Sequence, residues 1–313
     1  MPQTRRVDAE GVAARLPVIP PLAGGSAWWT PGIRVRGTFP TNPAGPLGRS
    51  GSLEVRLATS AKEIRRAQRL RYKVFFEEMS AVPGPLARLS RRDTDAYDPI
   101  CDHLVVLDHA VPRKPFRAPK PKVVGTYRLL RRDVADAHDG FYSAGEYDIE
   151  PLLAARPGAR VLELGRSCVL QPYRTRKTVE LLWQGLWAYV QAHDIDVMIG
   201  CASLPGTDPR RLASELSYLH HHARSPEAWR VRARADRFTR MDLVPRDLLD
   251  AKAAFKALPP LVKGYLRVGA TFGEGAVVDL EFGTTDVFVV MPVAAIQGRY
   301  VDHFGPAANR RAA

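Results

Sequence analysis

Three stretches of the chain carry residue types at spacings that can do chemistry. His220-His221-His222 offers three imidazoles, common ligands of a transition metal. Neighbouring side chains point about 100° apart on a helix and to opposite faces on a strand, so three in a row cannot converge on one ion. They read as a solvated helix end, and no other Cys/His or Asp/His spacing matches a zinc pattern. Gly165-Arg166-Ser167-Cys168-Val169 begins like the nucleophile elbow of a serine hydrolase. That motif needs a second glycine, where Val169 stands, and a helix directly after the serine. Here an apolar strand runs on to Leu170, so Ser167 is not read as a nucleophile. The third stretch, Gln171-Pro172-Tyr173-Arg174-Thr175-Arg176-Lys177-Thr178, is a basic turn leading from that strand into an amphipathic helix. Free N–H groups and the dipole at a helix start attract phosphate, and Arg174, Arg176 and Lys177 add full charges. An ordinary solvated turn has the same composition.

The elements that must position these groups follow from the hydrophobic pattern. Leu53-Glu54-Val55-Arg56-Leu57 alternates as a strand, and Thr59 or Ser60 caps a helix whose Ile64, Ala67, Leu70, Val74 and Phe75 keep the 3.6 period. An acidic loop with Asp93, Asp95, Asp98 and Asp102 precedes a strand at 104–107. The basic, proline-rich segment 113–122 reads as a hairpin loop, and 123–130 and 161–170 as strands. Thr178 is expected to cap the helix of Val179, Leu182, Trp183, Leu186 and Val190, and a short buried strand follows at 195–200. A helix from about Pro209 and strands near Val277 and Val287 complete the series. The pattern predicts an α/β fold with one βαβ crossover over 161–200.

Of 313 residues, 45% are apolar and 25% charged, enough to bury a sizeable core. Residues 1–52 are Pro- and Gly-rich without periodicity and read as a disordered tail. Lys and Arg exceed Asp and Glu by 13, and six arginines against two acids leave only +4 on the tail. The basic excess belongs mainly to the folded part and predicts an acidic partner: nucleic acid, an anionic membrane surface or an acidic protein. Arg230, Arg232, Arg234 and Arg237 fit a phosphate stripe, but no reader motif or aromatic stacking series accompanies them, so no specific nucleic acid is expected. Three scattered cysteines exclude a disulfide framework, read as small buried apolar residues and suit a reducing cytoplasm. No signal peptide or membrane-length apolar run is visible.

The strand–basic turn–helix resembles the acyl-donor site of the GNAT-type N-acyltransferases, whose usual turn is Gln/Arg-x-x-Gly-x-Gly/Ala. Thr175, Lys177 and Val179 stand where that turn has glycines that wrap the coenzyme A pyrophosphate. The plainer turn suits a donor with one phosphodiester, the phosphopantetheine of acyl carrier protein. Arg71…Phe75, Asp95/Asp98, Arg128 and Glu163-Leu164-Gly165-Arg166 are similar to the ordered pattern of the acyl-homoserine-lactone synthases. A fuller resemblance spans 53–304. Glu163 to Val169, Tyr173-Arg174, Leu182-Trp183-x-Gly185 and Gly200-Cys201-Ala202-Ser203 form one block. Gly206-Thr207-Asp208-Pro209, Pro259 to Arg267, Gly269-Ala270 and Thr284-Thr285-Asp286-Val287 form another. Both resemble the bacterial L-ornithine N-alpha-acyltransferases, with Gly283 where Asn is expected.

The resemblance implies a GNAT-like mixed sheet flanked by helices, with a core at 53–205 and a family-specific C-terminal extension at 206–313. It implies transfer of a 3-hydroxyacyl group from acyl carrier protein to the α-amine of ornithine, by direct aminolysis, with no bound cofactor and no metal. Glu163 is then the candidate base, with Arg166 beside it; a salt bridge between the two at a strand end is the alternative. Arg128 or Arg166 would grip the substrate carboxylate, and Asp95, Asp98 or Asp102 its side-chain ammonium, unless that loop is a solvated surface run. Arg71 and Phe75 join the substrate side, while Cys168, Val169, Leu170, Tyr173, Arg174, Arg176 and Lys177 form the acyl-donor side. A backbone N–H among 168–170 would bind the oxyanion. Lys263, Arg267 and Asp286 belong to the second block without a physical role beyond charge. The expected partners are acyl carrier protein and ornithine, with peripheral contact to the anionic inner face of the cytoplasmic membrane. A lactone synthase, needing an adenosylmethionine site, is the alternative enzyme.

Overall fold

The apolar strands predicted above assemble into one mixed sheet, and the order of its strands decides where the polar residues meet. The computed structural model describes residues 43, 45–79, 81–110 and 120–296. The strands are β1 (Gly48–Ser50), β2 (Leu53–Leu57), β3 (Asp102–Asp108), β4 (Lys122–Arg131), β5 (Tyr147–Asp148), β6 (Val161–Val169), β7 (Val197–Pro205), β8 (Arg232–Ala233), β9 (Thr271–Asp279) and β10 (Thr284–Pro292). The helices are α1 (Ala61–Tyr72), α2 (Pro85–Ser90), α3 (Arg132–Ala135), α4 (Glu150–Ala154), α5 (Arg176–Ala192), α6 (Ala213–His222), α7 (Ala251–Ala257) and α8 (Pro260–Val268). The sheet order is β1-β2-β3-β4-β6-β7-β10-β9-β8-β5. Pairing is antiparallel except at β6–β7 and at the short β8–β9 contact. The α5 crossover between parallel β6 and β7 is the predicted βαβ unit.

The mixed sheet flanked by helices is the architecture that the resemblance implied. Its C-terminal part is woven into the sheet: β10 pairs with β7 from Thr284↔Pro205 to Pro292↔Val197, and β9 pairs with β10. The expected division at 205/206 falls at the end of β7, and residues beyond it, expected as an extension packed on the core, supply two central strands of the same sheet. At the other end, Gly48–Ser50 pairs with β2, so the first strand lies before the expected core boundary at 53. The rest of the expected tail (1–42 and 44), segment 111–119 of the expected hairpin loop, and 297–313 lie outside the described residues.

Local chemistry sets the helix ends. The Ser60 side chain caps α1 by accepting the Glu63 N–H. The helix then widens its ladder to i→i+5 bonds in a π-helical turn at Lys73–Glu78, which carries Phe75. Helix α5 starts three residues earlier than expected. Thr175, extended at φ −108°, accepts the Thr178 N–H, whereas Thr178 lies buried inside the first turn. This places Arg176 and Lys177 at the helix start. Strand β7 outruns its predicted end at 200 because residues 201–205 find a partner in β10, which local sequence cannot announce. Helix α6 begins at Ala213, after a turn, and ends in the three histidines, where His221 Nε2 lies 3.0 Å from the Val244 carbonyl. Gly283, at φ +68°, holds the left-handed position of the β9–β10 turn; Asn also tolerates that conformation, so the departure from the family pattern keeps the turn.

One apolar cluster, including Leu70, Leu104 and Leu186, fills the space between the sheet and helices α1 and α5. A second, including Phe141, Leu152 and Val161, lies under α4 and the loop before β5.

Candidate active site

Parallel β6 and β7 pair only over Val161↔Val197, Leu162↔Met198 and Glu163↔Ile199, and then part. Beyond the fork β6 follows β4, and β7 follows β10. Gly200 marks the fork: a Cβ there would sit 2.4 Å from the Leu164 carbonyl oxygen, so only glycine allows the approach. Between the parted strands lies a cleft of about 540 Å³. Residues 164–169 of β6 line one wall, and Cys201, Ala202 and Ser203 of β7 line the other. Phe75, Leu182, Trp183, Leu261, Tyr265 and Phe282 give it a largely apolar lining.

Behind the β6 wall three arginines and three aspartates form a closed network. Buried Arg71 grips Asp98 with Nη1 and Nη2 at 2.8 and 2.7 Å and reaches Asp93 with Nε at 2.7 Å. Arg128 Nη1 donates to Asp95 at 2.6 Å, and Arg166 contacts Asp93 and Asp95 at 3.2 and 3.3 Å. Burial works against the Arg71 charge, but Asp98 and Asp93 more than offset it and hold its pKa above the ordinary value. Burial likewise opposes the Asp98 charge, yet Arg71 holds its carboxyl below the usual range. Asp95 and Asp98 are thus matched by the protein's own arginines. Asp102 lies elsewhere, accepting from Tyr189 Oη at 2.6 Å and Arg131 Nη1 at 3.1 Å, outside the cleft lining. Arg166 sits at φ +50°, an uncommon conformation for a side-chain-bearing residue, beside a register shift in β4–β6. Its guanidinium lies between Tyr142 and Phe282, 4.8 Å from each ring centre, and lines the cleft with Arg128.

Glu163 stands at the fork with 5% exposure. Its Oε2 accepts the Tyr142 N–H and its Oε1 the Ser143 N–H, both at 2.8 Å. Burial pushes its pKa up, and these hydrogen bonds with Arg128 only partly oppose that. It makes no ion pair with Arg166 among the described residues; the expected strand-end bridge is replaced by Arg166–Asp93 and Arg166–Asp95.

Across the fork, Glu146, Asp279 and Asp286 bring one carboxylate oxygen each within 4.8 Å of the others. Asp279 and Asp286 line the cleft. Asp286 accepts from Thr284 Oγ1 at 2.8 Å, and Asp279 from the N–H groups of Glu281 and Phe282; neither has a cationic partner among the described residues. Burial raises the Asp286 pKa. Burial, with Asp286 and Asp279 nearby, pushes Glu146 up to about 7 despite Arg237 at 3.4 Å. Glu146 and Asp279 escaped the sequence reading because they lie in a loop and at a strand end, far from any motif. The Thr284-Thr285-Asp286 block did single out Asp286.

On the donor side, Cys168, Val169 and Arg174 line the cleft. The Leu170 N–H is committed to the Val124 carbonyl at 2.9 Å. Tyr173 turns away and donates to Asp108 at 2.8 Å. Arg174 donates to the Val169 carbonyl at 3.0 Å and pairs with Glu78, while Arg176 pairs with Glu180 and Lys177 is exposed. Lys263 donates to the Lys256 carbonyl at the end of α7, and Arg267 is exposed; neither lines the cleft, although Leu261, Gly264 and Tyr265 of the same helix do. Burial pushes the Cys101 and Cys168 thiols up to about 12 and holds Cys201 well above its ordinary value, so the three cleft thiols stay protonated. Ser167 faces the cleft, whose lining among the described residues contains no histidine to activate it.

The Acetyltransferase (GNAT) domain family matches residues 70–184. The chain is 52% identical over 264 residues to the L-ornithine N(alpha)-acyltransferase of Brucella abortus (strain 2308), covering 84% of this chain and 92% of the relative. Against the protein of that name from Rhizobium meliloti (strain 1021), identity is 53% over 264 residues, covering 84% and 88%. Against that from Rhodobacter capsulatus it is 45% over 253 residues, covering 81% and 95%. Among solved structures, FeeM, an N-acyl amino acid synthase from uncultured soil microbes, superposes with TM-score 0.44 at 10% identity, covering 77% of this chain and 92% of that one. The AHL synthase LasI superposes with TM-score 0.41 at 12% identity, covering 79% and 95%. With about half its residues identical across most of both chains, the chain belongs to the L-ornithine N(alpha)-acyltransferases, a family of the GNAT acyltransferases.

Proposed function

We propose that this protein transfers a 3-hydroxyacyl group from the phosphopantetheine thioester of acyl carrier protein to the α-amine of L-ornithine. The observation that carries this reading is the composition of the forked cleft: an apolar lining that suits an acyl chain also holds two carboxylates without a cation. Ornithine brings a carboxylate and a second ammonium besides the reacting amine. Arg128 and Arg166 suit the carboxylate. Asp95 and Asp98 hold those arginines in place, and the ammonium goes to Asp286, Asp279 and Glu146.

The thioester is already activated, so aminolysis needs no covalent enzyme intermediate. Glu163, directly or through a water, accepts a proton from the α-ammonium. The freed amine forms the C–N bond, the carbonyl oxygen takes negative charge, and collapse breaks the C–S bond. On collapse the newly bonded nitrogen gives up its second surplus proton to the departing thiolate, and Glu163 releases the first to water. Because the Leu170 N–H points at Val124, strand alternation turns the Val169 N–H to the cleft side, where it suits the oxyanion. The start of α5, with Lys177, suits the phosphodiester of the donor. Purified protein incubated with 3-hydroxyacyl-carrier protein and radiolabelled ornithine should yield a labelled lyso-lipid. No product from a competent donor, or acylation of adenosylmethionine in preference to ornithine, overturns the reading.

A further inference from the structure

The cleft opens onto an apolar face. Nine large apolar side chains stand exposed among the described residues, and three of them line the cleft. Met79, Val179 and Leu261 line the cleft itself and still reach solvent. The Val82 N–H donates to the Glu281 carbonyl at 2.8 Å, which draws Val82 up to Leu280 on the β9–β10 turn. Three residues on, α2 carries Leu86 and Leu89, which share a helix face and are 81% and 86% exposed. No core position explains this placement, since α2 buries none of its residues.

Positive charge frames the same face. Arg88 is on α2, Arg92 just beyond it, and Lys177 opens α5, close by through the Arg174–Glu78 pair. None of the three has an acidic partner among the described residues, while the neighbouring acids Glu77 and Glu78 are matched by Arg91 and Arg174. Glu281 is a local counter-charge, so the face remains basic overall.

We infer that this face, built on Leu86, Leu89, Val82 and Leu280, is a docking surface for an anionic lipid bilayer. Apolar side chains that enter the headgroup boundary beside unmatched cations are how a peripheral protein holds such a surface. The inference rests on the proposed function for its purpose. An amphiphilic acyl-amino-acid product leaves a cleft whose apolar lining continues onto the face, so its chain passes into lipid without crossing water.

The test is flotation of the full chain with phosphatidylglycerol/phosphatidylcholine vesicles and with phosphatidylcholine vesicles alone. The protein should float with the anionic vesicles, and less so as salt is raised. Leu86→Ser/Leu89→Ser should weaken that binding at least about tenfold. In vesicle-free acyl-transfer assays the same variant should keep its kcat and its KM for acyl carrier protein. Failure of the unaltered chain to float, or unchanged flotation of the variant, overturns the inference. A raised vesicle-free KM for acyl carrier protein assigns the face to that protein instead, and loss of a dimer in sedimentation assigns it to a second copy. Flotation reads binding without turnover, so it stands apart from failure of the acyltransferase reading.

Discussion

Replacing Glu163 by glutamine separates its chemical duty from its structural one. Both carboxylate oxygens accept backbone N–H groups, from Tyr142 and Ser143, at 2.8 Å. Glutamine keeps one acceptor and turns the other position into a donor that faces a donor. One buried hydrogen bond is lost and two N–H groups are left opposed, which costs about 1–3 kcal/mol of stability. Loss of the proton acceptor removes general-base catalysis, typically ~100-fold to 10,000-fold in rate. The two effects are read separately, by thermal denaturation and by the pH dependence of kcat/KM for ornithine with acyl carrier protein as donor. In the unaltered enzyme the rate should rise with pH through a carboxylate midpoint lifted above the ordinary value by burial. In Glu163→Gln that limb should vanish, and only the rise set by the substrate amine should remain. A variant that loses stability but keeps the same limb, or keeps its kcat within about threefold, would refute the base assignment. Glu163 would then be only the anchor of the 142–143 loop.

Three further outcomes are expected. Asp286→Asn should raise the KM for ornithine by about 10-fold to 100-fold while leaving stability equal or higher, because the carboxylate is buried without a cation. An unchanged KM would remove Asp286 from the ammonium site, and activity lost to a chelator would place a metal there instead. Glu146 has its pKa raised to about 7, so its contribution to stability is complete below its ordinary value of 4.5 and is lost as pH rises through 7. Glu146→Gln should therefore gain in melting temperature relative to the unaltered chain between pH 5 and pH 8, and parallel curves over that range (roughly one to two decades either side of neutrality) would count against the burial argument. Gly200→Ala forces a Cβ to within 2.4 Å of the Leu164 carbonyl, a backbone atom that cannot rotate away. It should destabilise the protein by about 1–3 kcal/mol and widen the fork, and an unaltered melting temperature would mean that the strands part for another reason.

The sequence by itself determined the strands and helices that hold the site. Their apolar periodicity depends on near neighbours, and 53–57, 123–130 and the α1 stripe emerged almost as written. It also determined the family, because the blocks around Glu163, Gly200 and Asp286 resemble it on their own. The basic turn before α5 was legible too, although its cap proved to be Thr175, since burial of Thr178 depends on what the helix packs against. Only the tertiary structure decided which charges are matched. Asp95 and Asp98 had suggested an ammonium site from their loop, yet Arg71, Arg128 and Arg166 converge on them from α1, β4 and β6. The second acidic group, in which Asp279 and Asp286 lack a cationic partner among the described residues, comes from a loop, the end of β9 and the start of β10, a grouping that exists only because β10 pairs with β7 across the fork. Chain order records neither meeting. Coulomb pairing acts over a few ångströms in space, while the residues concerned lie tens to more than a hundred positions apart in sequence.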